Sequence, residues 1–257
     1  MEKNQPIGVF DSGLGGVSVL RELVALMPNE NYIYFGDSVN APYGTKSDSE
    51  IMELSDDVME NLVNQDCKTI VIGCNTITGV AAKRLRAEYP KLIIVATEPA
   101  VKPAVAAAPK GKILVMATTA TLRSKRFMSL VDRFGGDAEI ISCPCPGLME
   151  FVERGEIYSE NLRQYLMEKI TGVGGMDADC AVLGCTHYPF VKGMIQEVLG
   201  DKVKIFDGAP GIARQLKRKL KAYDLINDSG KKGTIHWENS LNNPELLRLS
   251  EKLLNLQ

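Results

Sequence analysis

At 257 residues the chain is long enough to bury one large core or two smaller ones. Its 45% hydrophobic and 24% charged content is ordinary for a globular protein, and a net charge of −2 argues against a nucleic-acid partner. No stretch approaches a membrane span, since apolar Ala104–Ala108 is bracketed by Pro103 and Pro109, and Met1–Pro6 lacks the apolar core of a signal peptide. A cytoplasmic address is therefore expected, with the six cysteines as free thiols rather than disulfides.

In chain order, short apolar runs recur at Ile7–Phe10, Tyr32–Phe35, Ile70–Ile72, Leu92–Val95, Ile113–Met116, Ala181–Leu183 and Val203–Phe206. Each ends in a cluster of Gly, Ser, Thr, Asn or Asp, which predicts buried strands. The stretches between them are amphipathic. Val17, Leu20, Val24 and Met27 share a helical face, as do Met128, Val131 and Phe134, and Ile212, Leu216 and Leu220. The basic run Arg214–Lys221 belongs to the wet side of the last of these helices. Alternating strands and helices predict an α/β fold built on mainly parallel sheets with covered faces.

Val71-Ile-Gly-Cys-Asn-Thr76 resembles Val182-Leu-Gly-Cys-Thr-His187, 111 residues later. Upstream of each lies another strand with a polar end, Gly8–Ser12 and Leu114–Thr118, at near-equal intervals. This pattern predicts two pseudo-symmetric lobes. Ligands of open parallel sheets bind beyond the carboxyl ends of the strands, where Asp11, Cys74, Thr118 and Cys185 all lie, so a shared cleft between the lobes is expected to hold the site.

Cys74 and Cys185 are the sharpest chemical signal. A thiol in such a turn can act as nucleophile, metal ligand or general base once local dipoles or a cation favour the thiolate. Cys67, Cys143, Cys145 and Cys180 suit the commoner part of a small buried hydrophobe. Inverting a stereocentre by proton transfer needs a base on one face and an acid on the other, with the roles exchanged in reverse. Two matched thiols meet that symmetry, whereas a hydrolase needs one nucleophile and one dedicated base. Asp11 and His187 are candidate assistants to the thiols, while His236 is expected to be structural. Ser12, Asn75, Thr76, Thr118 and Thr121 are short hydrogen-bonding side chains suited to carboxylates and an ammonium group. Gly13-Leu-Gly-Gly16 lacks the spacing of a nucleotide-binding loop and predicts a tight turn beside a small anionic ligand. Lys46 and Lys125 have no local feature that would lower a pKa for a Schiff base, and Cys143-Pro-Cys145 has no second ligand pair at metal-site spacing. No cofactor and no metal are expected.

Four segments together resemble the glutamate racemases of the aspartate/glutamate racemase family. They are Phe10-Asp-Ser-Gly-Leu-Gly-Gly16, Tyr34-Phe-Gly-Asp37 with Ala41-Pro-Tyr-Gly-Thr-Lys46, Gly73-Cys-Asn-Thr76 and Gly184-Cys-Thr-His-Tyr-Pro189. Ala117–Thr121, Cys145–Leu148 with Val152-Glu153, and Phe206-Asp207 add to the likeness, which runs from about residue 6 to 207 in the family's order. The resemblance implies cofactor-independent interconversion of L- and D-glutamate, supplying D-glutamate for peptidoglycan, by a protein that is commonly a homodimer. It implies that Cys74 and Cys185 are the opposed acid/base pair, with Asp11 supporting Cys74, and with His187 and Glu153 (or nearby Glu150) supporting Cys185. Asp11-Ser12, Tyr43-Gly44, Asn75-Thr76 and Thr186-His187 would line the substrate, with Thr118 and Thr121 completing its carboxylate contacts. Residues 1–97 with 208–257 are expected to form the first lobe, and 98–207 the second. The alternatives are the same machinery acting on aspartate or another acidic substrate, a cysteine-nucleophile hydrolase or amidase with His187 as base, and a catalytically silent binding module.

Overall fold

A computed structural model of the chain describes residues 1–256. The first stretch alternates β1 (Ile7–Asp11), α1 (Val17–Leu26), β2 (Tyr32–Gly36), α2 (Asp48–Asn64), β3 (Thr69–Ile72), α3 (Asn75–Val80), α4 (Ala82–Glu88) and β4 (Ile93–Ala96). The middle stretch holds α5 (Val101–Ala107), β5 (Lys112–Ala117), α6 (Thr119–Arg123), α7 (Lys125–Phe134), β6 (Glu139–Pro144), α8 (Leu148–Glu153), α9 (Glu160–Gly172), β7 (Cys180–Leu183), α10 (Lys192–Leu199) and β8 (Lys204–Asp207). The last stretch is α11 (Ala209–Ala222), β9 (Ile235–Asn239) and α12 (Pro244–Leu254). These elements form two compact units, Met1–Thr97 with Ala209–Gln257, and Glu98–Gly208. Among the described residues no helix is long and apolar enough to cross a membrane.

The first unit contains a five-stranded parallel sheet in the order β4-β3-β1-β2-β9. On one face, Phe10, Ile33, Ile70 and Ile72 pack with Ile51, Val58, Met59 and Leu62 of α2, Ile77 of α3 and Leu85 of α4. That side chains alternate along a strand puts Val9 and Val71 on the opposite face, where α1 packs against α11 and α12. Helix α2 starts on a capping box: Ser47 Oγ accepts the Glu50 amide at 3.3 Å, and the Ser47 amide donates to Glu50 Oε2 at 2.9 Å.

The second unit contains a four-stranded parallel sheet in the order β6-β5-β7-β8. Ile113, Val115, Cys180 and Val182 pack under Val101 and Ala104 of α5 and Phe127 and Leu130 of α7. Val131 and Phe134 of the expected face of α7 pack half-buried on the same core, whereas Met128 is exposed. Pro103 sits in the first turn of α5, where a missing N–H costs no intrahelical bond. Both sheets share one core arrangement, β2-β1-β3-β4 in the first and β6-β5-β7-β8 in the second. Each reverses its strand order beside its first strand, which is the switch point where parallel sheets bind ligands.

Away from that end of the first sheet, Lys68 is fully buried and its ammonium is fully used. Nζ donates to Glu30 Oε2 at 2.5 Å, to the Leu225 carbonyl at 2.9 Å and to the Lys3 carbonyl. Glu30 Oε1 in turn accepts the Asn227 amide at 2.8 Å, so one ion pair ties the start of the chain to the α11–β9 connection. Burial pushes the Lys68 pKa down, and the Glu30 carboxylate opposes that shift. Glu30→Ala would strand this cation in the core, and we expect a loss of about 3–5 kcal/mol in urea unfolding; a loss below about 1 kcal/mol would show that the pair does not hold the segment.

Candidate active site

Both glycine–cysteine turns extend the central ladder of their own sheet by one more bond. In the first unit the Gly73 amide donates to the Phe10 carbonyl at 2.7 Å, and in the second the Gly184 amide donates to the Met116 carbonyl at 2.7 Å. On the other side of the central strand, the Asp37 amide donates to Asp11 O and the Cys145 amide to Ala117 O, each at 3.0 Å. Asp11 and Ala117 thus occupy equivalent positions, as do Cys74 and Cys185. The approach crowds a side chain at Gly73 and clashes with one at Gly184. A Cβ on Gly73 would lie 3.1 Å from both Gly16 Cα and Phe10 O, and one on Gly184 would lie 2.8 Å from Ala117 Cβ.

Around Cys74, the Ser12 hydroxyl lies 3.5 Å from the thiol sulfur. Asp11 is fully buried, and its Oδ1 accepts the Gly13 amide at 2.9 Å, so that amide of the glycine-rich turn is already engaged. Asn75 and Thr76 open α3 directly after the thiol and are both buried. Asn75 Oδ1 finds no hydrogen-bond partner in the protein. Tyr43 and Gly44 lie in a 3-10 turn, Tyr43–Thr45, that packs on α3. The Tyr43 hydroxyl donates to Asp37 Oδ2 at 2.6 Å, and burial together with that carboxylate pushes its pKa up. Asp37 also accepts two bonds from Asn40 Nδ2, at 3.1 and 3.0 Å. Asp37, which holds Tyr43, is not among the site residues expected from the sequence, although a carboxylate just past a strand's carboxyl end signals one.

Around Cys185, Thr186 and His187 are buried, and His187 leads into a 3-10 turn, Tyr188–Val191. His187 Nδ1 lies 3.7 Å from the Cys185 sulfur, and its Nε2 lies 2.7 Å from Glu153 Oε1 on α8. The structure thus brings Glu153 rather than Glu150 to the imidazole, and Glu150 Oε2 is buried without a hydrogen-bond partner. Burial by itself would lower the His187 pKa. Hydrogen bonds to Cys185 and Glu153, and their charges, outweigh it and hold the pKa well above the usual imidazole range. Thr118 caps α6: its Oγ1 accepts the Thr121 amide at 3.1 Å and donates to Thr121 Oγ1 at 2.9 Å.

All six cysteines are free and buried. Burial pushes the Cys67 thiol up to about 12, which keeps it protonated and unreactive. Cys143 and Cys145 lie 3.7 Å apart, and among the described residues no group of three or more His, Cys, Asp or Glu side chains is arranged to hold a metal ion. His236 lies on β9, 3.2 Å from Glu238.

A raised folded-state pKa means that His187 binds its proton more tightly folded than unfolded. Its stabilising contribution is complete below the unfolded value, about 6.5, and is lost as the pH rises through the folded value. In denaturation series from about pH 5.5 to 9, we expect the stability advantage over His187→Asn to be widest at the acid end and to shrink upward. An advantage that grew with pH would contradict the assignment.

The profile of the Asp/Glu/Hydantoin racemase family matches residues 7–216. A glutamate racemase of Clostridium perfringens is 48% identical over 255 residues, covering 99% of this chain and 98% of its own. Among solved structures, glutamate racemase from Francisella tularensis in complex with D-glutamate superposes with a TM-score of 0.86 at 27% identity, covering 99% of this chain and 95% of that one. Glutamate racemase from Thermus thermophilus in complex with β-chloro-D-alanine gives 0.83 at 31%, covering 100% of this chain and 95% of that one. With its two parallel sheets and a matched glycine–cysteine turn in each, the chain belongs to the Asp/Glu/hydantoin racemase family.

Proposed function

We propose that this racemase interconverts L- and D-glutamate by moving the α-proton between two thiols, Cys74 and Cys185, and that it supplies D-glutamate for peptidoglycan. The observation that carries the reading is the equivalence of the two Gly-Cys turns, in a chain 48% identical over nearly its whole length to a glutamate racemase. In one direction the thiolate of one cysteine removes the α-proton, and the thiol of the other delivers a proton to the opposite face. The first cysteine ends as thiol and the second as thiolate, which is the starting state for the reverse reaction. Nothing in this cycle calls for a cofactor.

The neighbours of each sulfur suit this chemistry. On the Cys185 side, His187 is held by Glu153 with its other ring nitrogen beside the sulfur, and its raised pKa keeps a proton on that imidazole. On the Cys74 side the polar neighbour is the Ser12 hydroxyl, and we assign the buried Asp11, whose carboxylate holds the Gly13 amide, to the same side. Asn75 Oδ1, an acceptor without a partner in the protein, suits a donor that arrives with the substrate, such as its ammonium. Thr76, Thr118, Thr121, Thr186, Tyr43 and Gly44 complete the substrate contacts we assign.

The test is circular dichroism of the amino acid with purified protein and no added cofactor, in deuterated water. Product should carry deuterium at the α-carbon from either enantiomer. We expect Cys74→Ser and Cys185→Ser each to lower kcat/KM by at least about 100-fold. Full activity in either variant would end the two-thiol mechanism. A covalent thioester trapped at one cysteine, with the other dispensable, would point to a hydrolase instead.

A further inference from the structure

Helix α8 carries Glu153 to His187 and is seated by its buried Leu148 and Val152, which leave the direction of its first turn to be fixed by other groups. It spans only six residues, Leu148–Glu153, well short of what stands alone in water. Its N-cap is Gly147, in the left-handed region at φ +91°, and no side chain caps it. The short turn Cys145-Pro146-Gly147 that launches it is instead gripped from two other elements. Tyr188, in the 3-10 turn next to His187, donates its hydroxyl to the Cys145 carbonyl at 3.2 Å. Tyr165, on α9, donates to the Pro146 carbonyl at 2.7 Å. The Tyr165 ring also packs on Phe151 of α8, with centroids 5.7 Å apart, and Lys169 Nζ lies 5.5 Å from its centroid on α9.

We propose that Tyr165 and Tyr188 are positioning residues that fix the start of α8, and through it the 2.7 Å contact of Glu153 with His187 beside Cys185. The inference rests on the catalytic role proposed above for that dyad. Neither hydroxyl has to meet substrate. Each anchors a carbonyl at the start of the helix, with Glu153 at its far end. Rotating so short a helix by a small angle would move the carboxylate out of hydrogen-bond reach of Nε2, and displacements near 1 Å at a catalytic group are enough to cost orders of magnitude in rate. The two tyrosines act on different carbonyls from different elements, so together they define the helix direction better than either does alone.

Tyr165→Phe and Tyr188→Phe remove one hydroxyl each and leave the ring in place. We expect each to lower kcat about ten-fold, with KM changed less than two-fold, and to bring the His187 pKa, followed by NMR of the imidazole, down toward its ordinary range. In a Glu153→Gln background the same substitutions should change kcat by less than two-fold, because the group through which they act is already gone. An unmoved His187 titration in both tyrosine variants overturns the inference, whatever the turnover. So does a loss of kcat that is as large with Glu153→Gln as without it. Wild-type turnover in Glu153→Gln alone overturns instead the catalytic role of the dyad, and this inference with it. Thermal melts identify a variant that has unfolded, and the pKa measurement on the remaining variant then decides.

Discussion

The hydrogen bond from the glycine before each thiol to the neighbouring central strand is what the rest of the site hangs on. At 2.7 Å in both sheets, it draws the end of β3 onto β1 and the end of β7 onto β5 one residue beyond the regular ladder. That closeness crowds a Cβ at Gly73 and clashes with one at Gly184. It also sets where the chain leaves the sheet, so the next residue is the first one free of the ladder. In both units that residue is a cysteine, and buried polar side chains follow it: Asn75 and Thr76 in one, Thr186 and His187 in the other. In both sheets the turn lies where the strand order reverses.

The two thiols have unlike surroundings, and this bears on the proposed reaction. Enantiomers have equal free energy, so kcat/KM must be the same in the two directions whatever the residues do. Different support on the two sides can therefore alter how kcat and KM divide that ratio, but not the ratio itself. The Cys185 side has a charged relay, His187 to Glu153, while the Cys74 side has a hydroxyl and a buried carboxylate. An imidazole–carboxylate pair thus stands beside one sulfur and a hydroxyl beside the other, so each half of the proposed transfer has its own supporting groups.

How much of this was legible in the sequence follows from the range of each interaction. Strands β1 to β5, β7 and β8 could be read because most are apolar along their whole length, as central parallel strands are. Strands β6 and β9 were not, since polar residues such as Glu139, Ser142 and His236 interrupt their apolar runs. The glycine–cysteine turns stood out because their constraint is local, a Gly-Cys pair directly after an apolar strand. Tyr165 and Tyr188 gave no such signal, because the carbonyls they hold lie 19 and 43 residues away. On α7, Val131 and Phe134 pack on the core as expected and only Met128 does not, because Phe127 and Met128 are both apolar and packing selects Phe127.

Two buried polar sites of the first unit, one at Lys68 and one beside Cys74, contrast in how fully they are paired. Lys68 and Glu30 are buried as deeply as anything near the thiols, and Lys68 has three acceptors while both Glu30 oxygens have donors. Such a group stabilises the fold only because nothing in it is left unpaired. Beside Cys74 the rule is broken, since Asn75 Oδ1 is buried and has no partner in the protein. A buried acceptor of this kind costs stability wherever it occurs, so a fold retains it where something else is gained. Its position directly after the thiol is where a ligand donor would restore the missing bond. On the proposed chemistry, part of the binding free energy for substrate is then stability that the empty protein forgoes.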